Sequence, residues 1–426
     1  MKEGQKAHFV GIGGIGMSAL AQLLAHDGVI VSGSDRDAGP TTELLESKGI
    51  HVHIGHAAEN IPEDCDALIY SDAVPAENAE RSVAAERGIP QFSYFEMLGK
   101  VSEGRRTIAV SGTHGKTTTT GMLAKILIDA GAKPTVIVGS IVKDFGSNYV
   151  AGDSGLFVVE ACEYHDHLLE LSPEVLVINN LEWDHTDWFP SLAALQDTFR
   201  KAVAKVPSQG VIVTDTENQT IAPLLESAQA RIVDYVREPA FELQLIGTFN
   251  QSNAKAAAAA ARAVMPELSD EAIATSLASF HGTWRRFEYK GETKEDAVVY
   301  DDYAHHPTAI KETLKAARAQ AKGKLIVAFH PHLYSRTRDL LNEFTSAFVD
   351  ADEVVFAPIY AAREADDGSI SSEILAERVS ASGVPAQALG TFDEIAGYLK
   401  MHAGKGDMII TMGAGDIYKV ADQLVA

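Results

Sequence analysis

Ser111-Gly112-Thr113-His114-Gly115-Lys116-Thr117-Thr118-Thr119-Thr120 decides the fold. The apolar run Thr107 to Val110 reads as a strand leading into it. After it, Met122, Leu123, Ile126 and Leu127 fall at helical spacing until Gly131 stops the helix. A glycine-bounded turn between strand and helix presents backbone N–H groups and the positive end of the helix dipole to an anion. Lys116 adds a point charge and the Thr117 hydroxyl a Mg²⁺ ligand, so the stretch reads as a phosphate cradle. The usual pattern has a glycine five positions before Gly115, where Val110 stands, so this loop is a shortened form.

Outward from the loop, the alternation of strands and helices continues in both directions. His8-Phe9-Val10 enters Gly11-Ile12-Gly13-Gly14-Ile15-Gly16, a helix follows from Met17 to Leu24, and Val29-Ile30-Val31 leads to Ser34-Asp35. Such glycines let a backbone come close to a pyrophosphate, and an acid about 20 residues on can accept from a ribose hydroxyl. The same turn serves NAD, FAD or a nucleotide sugar, so it predicts a dinucleotide-type fold and leaves the ligand open. Ala67 to Tyr70 reads as a further strand, and Leu98 to Arg106 as a linker.

Downstream, the strand Leu156 to Val159 delivers Glu160 beside the loop, where phosphate-loop proteins place an acid for Mg²⁺. Val175 to Ile178 runs into Asn179 to Asp187, whose three acids and His185 form a second candidate metal or substrate site. Gly247 to Asn253 opens a helix with the run Ala256 to Ala261, Asn250 being a possible cap. Arg285-Arg286 suits a phosphate or carboxylate clamp, and Lys290 to Asp296 reads as a second linker. The last stretch has strands at Leu325–Phe329, Val354–Phe356 and Met408–Thr411, and a helix from about Arg338. Its candidate site loops are Asp301 to Pro307 and His330 to Arg338.

The 426 residues suggest two to four domains at about 100–200 residues each. With 46% hydrophobic and 22% charged residues the composition is that of a globular protein. A net charge of −23 argues against nucleic acid and anionic membranes, and it obliges an anionic substrate to meet local positive charge. Cys65 and Cys162 alone make a disulfide framework improbable and fit a reducing cytoplasm. The glycines at 11–16 fit a strand-turn-helix better than a secretory signal, and no apolar run approaches the ~20 residues of a membrane span.

In this order, GIGGIGMS at Gly11–Ser18, SGSD at Ser32–Asp35, GTHGKTTTT at Gly112–Thr120, Asp184-His185, Arg285 to Glu288, DDYAHHPT at Asp301–Thr308, PHLYSRTR at Pro331–Arg338 and MGAGDI at Met412–Ile417 make the chain resemble the Mur ligase family over nearly its whole length. The resemblance implies a three-domain α/β protein. Residues 1–104 would be a Rossmann-like domain for the UDP substrate, 105–292 a central phosphate-loop ATPase-type domain, and 293–426 a Rossmann-like open sheet that binds the amino acid and closes over ATP.

The implied activity is ATP-dependent amide-bond formation on UDP-N-acetylmuramate in peptidoglycan precursor synthesis, in the cytoplasm, by a monomer or homodimer with two Mg²⁺ ions. The acceptor would be L-alanine, or the L-alanyl-γ-D-glutamyl-meso-diaminopimelate tripeptide of cell-wall recycling. Gly11, Gly13, Gly14, Ile15, Gly16, Ser34, Asp35 and Ser71 would hold the UDP substrate. Gly112, Thr113, His114, Gly115, Lys116, Thr117 and Thr118 would cradle the phosphates of ATP, Asn250 and Asn253 would face adenine, and Arg286 and Asp302 would meet the γ-phosphate and ribose. Thr117 and Glu160 would hold one metal ion and His185 a second, with His306, Tyr334 and Arg336 near the amino acid.

Lys116, Glu160, His185 and Arg286 would carry the catalysis. Three departures stand out: Phe249 for a usual His, Cys162 for a usual Asp, and a Glu163 to Phe189 region closer to the tripeptide ligase. A dehydrogenase would leave the phosphate loop without a purpose. A catalytically idle nucleotide-sugar-binding ATPase is a further alternative.

Overall fold

The computed structural model describes residues 1–362 and 364–425. Three sheets carry the chain. The first runs in the order His51–Ile54, Ile30–Asp35, Lys6–Val10, Ala67–Tyr70, Gln91–Ser93, all parallel. Strand order reverses at Lys6–Val10, which places the Gly11 turn at the switch point where open sheets bind ligands.

The second sheet has seven strands in the order Arg231–Asp234, Val211–Thr214, Val175–Ile178, Arg106–Ser111, Leu156–Glu160, Thr135–Val142, Ser147–Val150. Only the last pair is antiparallel. Arg106–Ser111 is central, with Val110 opposite Glu160 on one side and Ser111 opposite Ile178 on the other. The phosphate loop therefore leaves the sheet between the ends of two neighbours, which bring Glu160 and Asn179 to its flanks.

The third sheet runs Glu288–Glu292, Val298–Asp302, Met408–Met412, Leu325–Phe329, Glu353–Phe356, Ala386–Ala388. Its strands are parallel except the first. Leu325, Val327 and Phe329 join one apolar cluster while Ile326 and Ala328 join the other, so helices cover both faces.

The chain divides into two compact units. One comprises Met1–Leu181, Gln196–Glu242 and Asn253–His281 and holds the first two sheets; the other comprises Glu182–Leu195, Leu243–Ser252 and Gly282–Ala426. Among the described residues, no helix is long and apolar enough to cross a membrane.

Both expected linkers are shorter than the sequence predicts. Leu98 lies inside the helix Tyr94–Ser102, started by a Ser93/Glu96 capping box, and only three residues separate it from the strand at Arg106. Gly99 is there because a side chain would strike the Glu170 carbonyl, 2.6 Å from an ideal Cβ. Lys290 begins no linker either: Glu288–Glu292 is an edge strand paired antiparallel with Val298–Asp302, so the third sheet starts before residue 293. Gly291 lets Val425 of the last helix approach it. The helix expected from about Arg338 begins at Tyr334.

Candidate active site

In the first sheet, Gly11 takes φ +80°, and the Gly11 and Ile12 amides donate to the Ser34 carbonyl at 2.8 and 2.9 Å. The Gly13 amide donates to Asp35 Oδ2 at 2.7 Å, and a Cβ at Gly13 would lie 2.8 Å from the same oxygen. Asp35 therefore holds the turn through one carboxylate oxygen. Gly14 caps the helix Ile15–His26 with no side-chain hydrogen bond, a helix start of the kind that suits an anion. Ser71 walls the turn, its Cβ 3.1 Å from where a Gly11 Cβ would be.

Ser34 differs from the expectation. Its side chain is fully buried and donates to Glu80 Oε2 at 2.5 Å, with His56 Nδ1 2.9 Å from the same hydroxyl. The hydroxyl thus faces the interior, and only the carbonyl serves the turn. Glu80, which the sequence reading missed, is fully buried and also accepts from Asn60 Nδ2 at 2.6 Å and the Ala57 amide at 3.2 Å. Burial opposes its charge, but the His8 ring, with Nε2 at 3.8 Å, and the bonds from Ser34 and Asn60 bring its pKa down to about 2.

In the second sheet, Gly112 at φ +118° and Gly115 at φ +80° shape the phosphate loop. A Cβ at Gly112 would meet the Asn180 carbonyl at 2.8 Å, and one at Gly115 would meet Asn253 Oδ1 at 2.2 Å. The loop is held from beneath by an asparagine pair. Asn180 accepts from the His114 amide at 2.8 Å and donates to its carbonyl at 3.0 Å, while Asn179 donates to Thr119 Oγ1 at 2.9 Å.

Lys116 Nζ donates to the Gly112 carbonyl at 2.6 Å and to Glu163 Oε1 at 3.0 Å. Burial works against its charge, yet Glu163, with Glu160 nearby, holds its pKa above the ordinary value. Thr117 Oγ1 donates to Glu160 Oε1 at 2.9 Å, and Glu160 Oε2 accepts from the Gly139 amide at 2.7 Å. A hydroxyl and a carboxylate beside a glycine cradle are hard oxygen donors that suit Mg²⁺. Burial pushes the Cys162 thiol up to about 12, so the residue stays neutral, and the acid in contact with Lys116 is its neighbour Glu163. Thr118 is buried in the helix, and Asn253 lies against Thr119, its Oδ1 accepting at 3.3 Å.

The other unit carries the remaining candidates. Asp184 is buried and paired with Arg336, at 2.9 Å from Nε and 2.8 Å from Nη2. Burial opposes its ionisation, but Arg336 first and His185 next hold the carboxyl well below the usual range. Of the three acids expected at this strand mouth, Asp184 thus serves Arg336. His185 follows at φ +52°, and its carbonyl accepts from the amides of Trp188 and Phe189 at 2.9 and 2.8 Å.

His306 is buried and caps the helix Pro307–Arg318, with Nε2 3.3 Å from the Trp183 carbonyl. Tyr334 is half-buried at the start of its helix, with Asp366 near its hydroxyl. Asn250 is no cap: it lies inside the helix Thr248–Val264, and its Nδ2 donates to the Ile246 carbonyl at 2.7 Å. Phe249 folds its ring over Gly247, whose Cβ would meet it at 2.3 Å.

The arginine pair splits. Arg285 is 3% exposed, pairs with Asp301 at 2.7 Å and donates to the carbonyls of Gly413 and Gly415 at 2.7 and 2.8 Å, so it anchors the final glycine turn. Arg286 stands over the Tyr303 ring, 5.0 Å from its centroid. Asp302 accepts from the amides of Phe287 and Ala304, both at 2.7 Å. Burial pushes its pKa up against the pull of Arg286.

Family models match three consecutive stretches: the Mur ligase family catalytic domain at residues 6–106, the Mur ligase middle domain at 110–239, and the Mur ligase glutamate ligase domain at 285–415. The chain belongs to the Mur ligase family. UDP-N-acetylmuramate–L-alanine ligase of Acetivibrio thermocellus is 39% identical to it over 449 residues, covering 98% of this chain and 95% of the relative. The crystal structure of UDP-N-acetylmuramate-alanine ligase MurC from Thermotoga maritima matches with a TM-score of 0.79 at 28% identity, over 99% of this chain and 98% of that one. A murein peptide ligase from Psychrobacter arcticus matches with a TM-score of 0.74 at 24% identity, over 99% and 98%, a likeness of fold alone.

Proposed function

We propose that the protein is an ATP-dependent ligase that joins L-alanine to the lactyl carboxylate of UDP-N-acetylmuramate, in the cytoplasm, as a step of peptidoglycan precursor synthesis. The observation that carries this reading is the set Lys116, Thr117 and Glu160 at one loop, in the same compact unit as an open glycine turn. The full-length likeness to L-alanine ligases supports the choice of acceptor. The Glu163 to Phe189 region has a local explanation, because Glu163 holds Lys116 and Asp184 holds Arg336.

In this reading the lactyl carboxylate attacks the γ-phosphorus of ATP, giving an acyl phosphate and ADP. The amine of L-alanine attacks the acyl carbon, the amide forms, and phosphate leaves. Lys116 keeps its proton and neutralises the β/γ-phosphates. Thr117 and Glu160, with His185 for a second ion, would hold Mg²⁺, which supplies charge neutralisation between two anions. Arg286 and Asp302 would meet the nucleotide as the third domain closes, Asn250 and Asn253 would face adenine, and His306, Tyr334 and Arg336 would orient the amino acid.

The test is phosphate release with ATP, Mg²⁺ and UDP-N-acetylmuramate. Stimulation by L-alanine is expected; stimulation only by L-alanyl-γ-D-glutamyl-meso-diaminopimelate, or by neither acceptor, would overturn the proposal.

A further inference from the structure

In the proposed reading the first glycine turn holds a doubly charged pyrophosphate in a chain of net charge −23, and Gly11 to Gly16 itself contains no cationic side chain, while Asp35 and Ser71 flank it. A neutral donor stands over it. Tyr94 is the first residue of the helix Tyr94–Ser102, fixed by the Ser93/Glu96 capping box. Its ring lies against the turn: a Cβ at Gly16 would be 2.8 Å from Tyr94 Cζ and 2.9 Å from its hydroxyl. The ring is braced edge-on by Phe95, centroids 4.7 Å apart, and Phe95 stacks on His167 at 3.5 Å. Gly16 lies in the first turn of the helix Ile15–His26, the one whose leading amides have no side-chain cap. The phenol and those amides therefore stand side by side at one helix end.

We propose that the Tyr94 hydroxyl donates a hydrogen bond to the pyrophosphate of the UDP substrate and serves as a substrate-positioning group of the glycine turn. The inference rests on the proposed UDP-N-acetylmuramate reading. Burial first, then the Glu160 and Cys162 groups, push the phenol's pKa above its ordinary value, so the hydroxyl remains a donor throughout the working pH range. That same neighbourhood puts the phenol near Glu160, on the nucleotide side of the unit.

The experiment compares wild type with Tyr94→Phe, which keeps the ring against Gly16 and removes only the hydroxyl. Calorimetric titrations without ATP use UDP-N-acetylmuramate, UDP and uridine. A hydrogen bond to a charged acceptor predicts that the variant loses ~10- to 100-fold in affinity for both diphosphates, with uridine unaffected. In turnover, KM for UDP-N-acetylmuramate should rise while KM for ATP and kcat hold. Equal affinity of variant and wild type for UDP overturns the inference, as does a loss confined to UDP-N-acetylmuramate, which would put the hydroxyl at the muramyl end. A wild type that binds neither diphosphate overturns the functional reading itself.

Discussion

The two glycine turns of the first compact unit have the same local grammar, strand, turn and helix, yet handle negative charge differently. The turn at Gly11 to Gly16 is held by acceptors, the Ser34 carbonyl and the Asp35 carboxylate, and offers a ligand neutral donors. The loop at Gly112 to Gly115 is held by amides, Asn179 and Asn180, and offers an ammonium, a hydroxyl and a carboxylate. In the proposed reading one turn would hold a group that does not react, and the other would neutralise charge that moves during reaction.

Breaking the second turn should be the most damaging. Lys116→Ala is expected to lower kcat by roughly 10³-fold, the scale of a lost transition-state electrostatic contact, while UDP-N-acetylmuramate still binds by calorimetry. Loss of both would mean that the turns are not separable in role.

Next comes the support under the first turn. Glu80 titrates at about 2 when folded against an ordinary 4.5. Its contribution, about 3 kcal/mol, is therefore fully present above pH 4.5 and lost as the pH falls through 2. Glu80→Gln should lower the melting temperature at pH 7, and the gap to wild type should shrink by pH 3. A gap that stays constant would show that the Glu80 charge is not what steadies the turn.

The mildest change sharpens the comparison. Gly13→Ala presses a methyl against Asp35, 2.8 Å from its Oδ2, and should weaken UDP binding by about tenfold, the scale of one hydrogen bond to a charged group. ATP binding should be unaltered in the same variant.

What could be read from the residues was whatever is local. Both turns, their strands and the acid at Glu160 follow from spacing, because a glycine turn and the helix after it are made by neighbours in sequence. Contacts made at a distance were invisible. Nothing in Arg285-Arg286 says that the first is an interior anchor, since its partners Asp301, Gly413 and Gly415 are 16 to 130 positions away. Asp184 read as an open acid because Arg336 lies 152 residues on. The edge strand Glu288–Glu292 read as a linker from Lys290 on because edge strands can be polar on both faces. Gly99, within the stretch Leu98 to Arg106 that reads as a linker, marks a close approach to Glu170. A glycine can be interpreted from sequence only where its reason lies close by in the chain.

A small contact joins the first turn's helix to the second sheet. Asn148, in the antiparallel hairpin of the second sheet, donates through Nδ2 to the Ile15 carbonyl at 2.7 Å, and Gly99 lies against Glu170 in the same unit. The first sheet's helices thus rest on the part of the chain that carries the second sheet, within one compact unit. On heating, the two sheets should melt as one cooperative block, with a single calorimetric transition, and a chain cut at residue 104 should lose solubility because the surfaces at Ile15 and Gly99 would be bared.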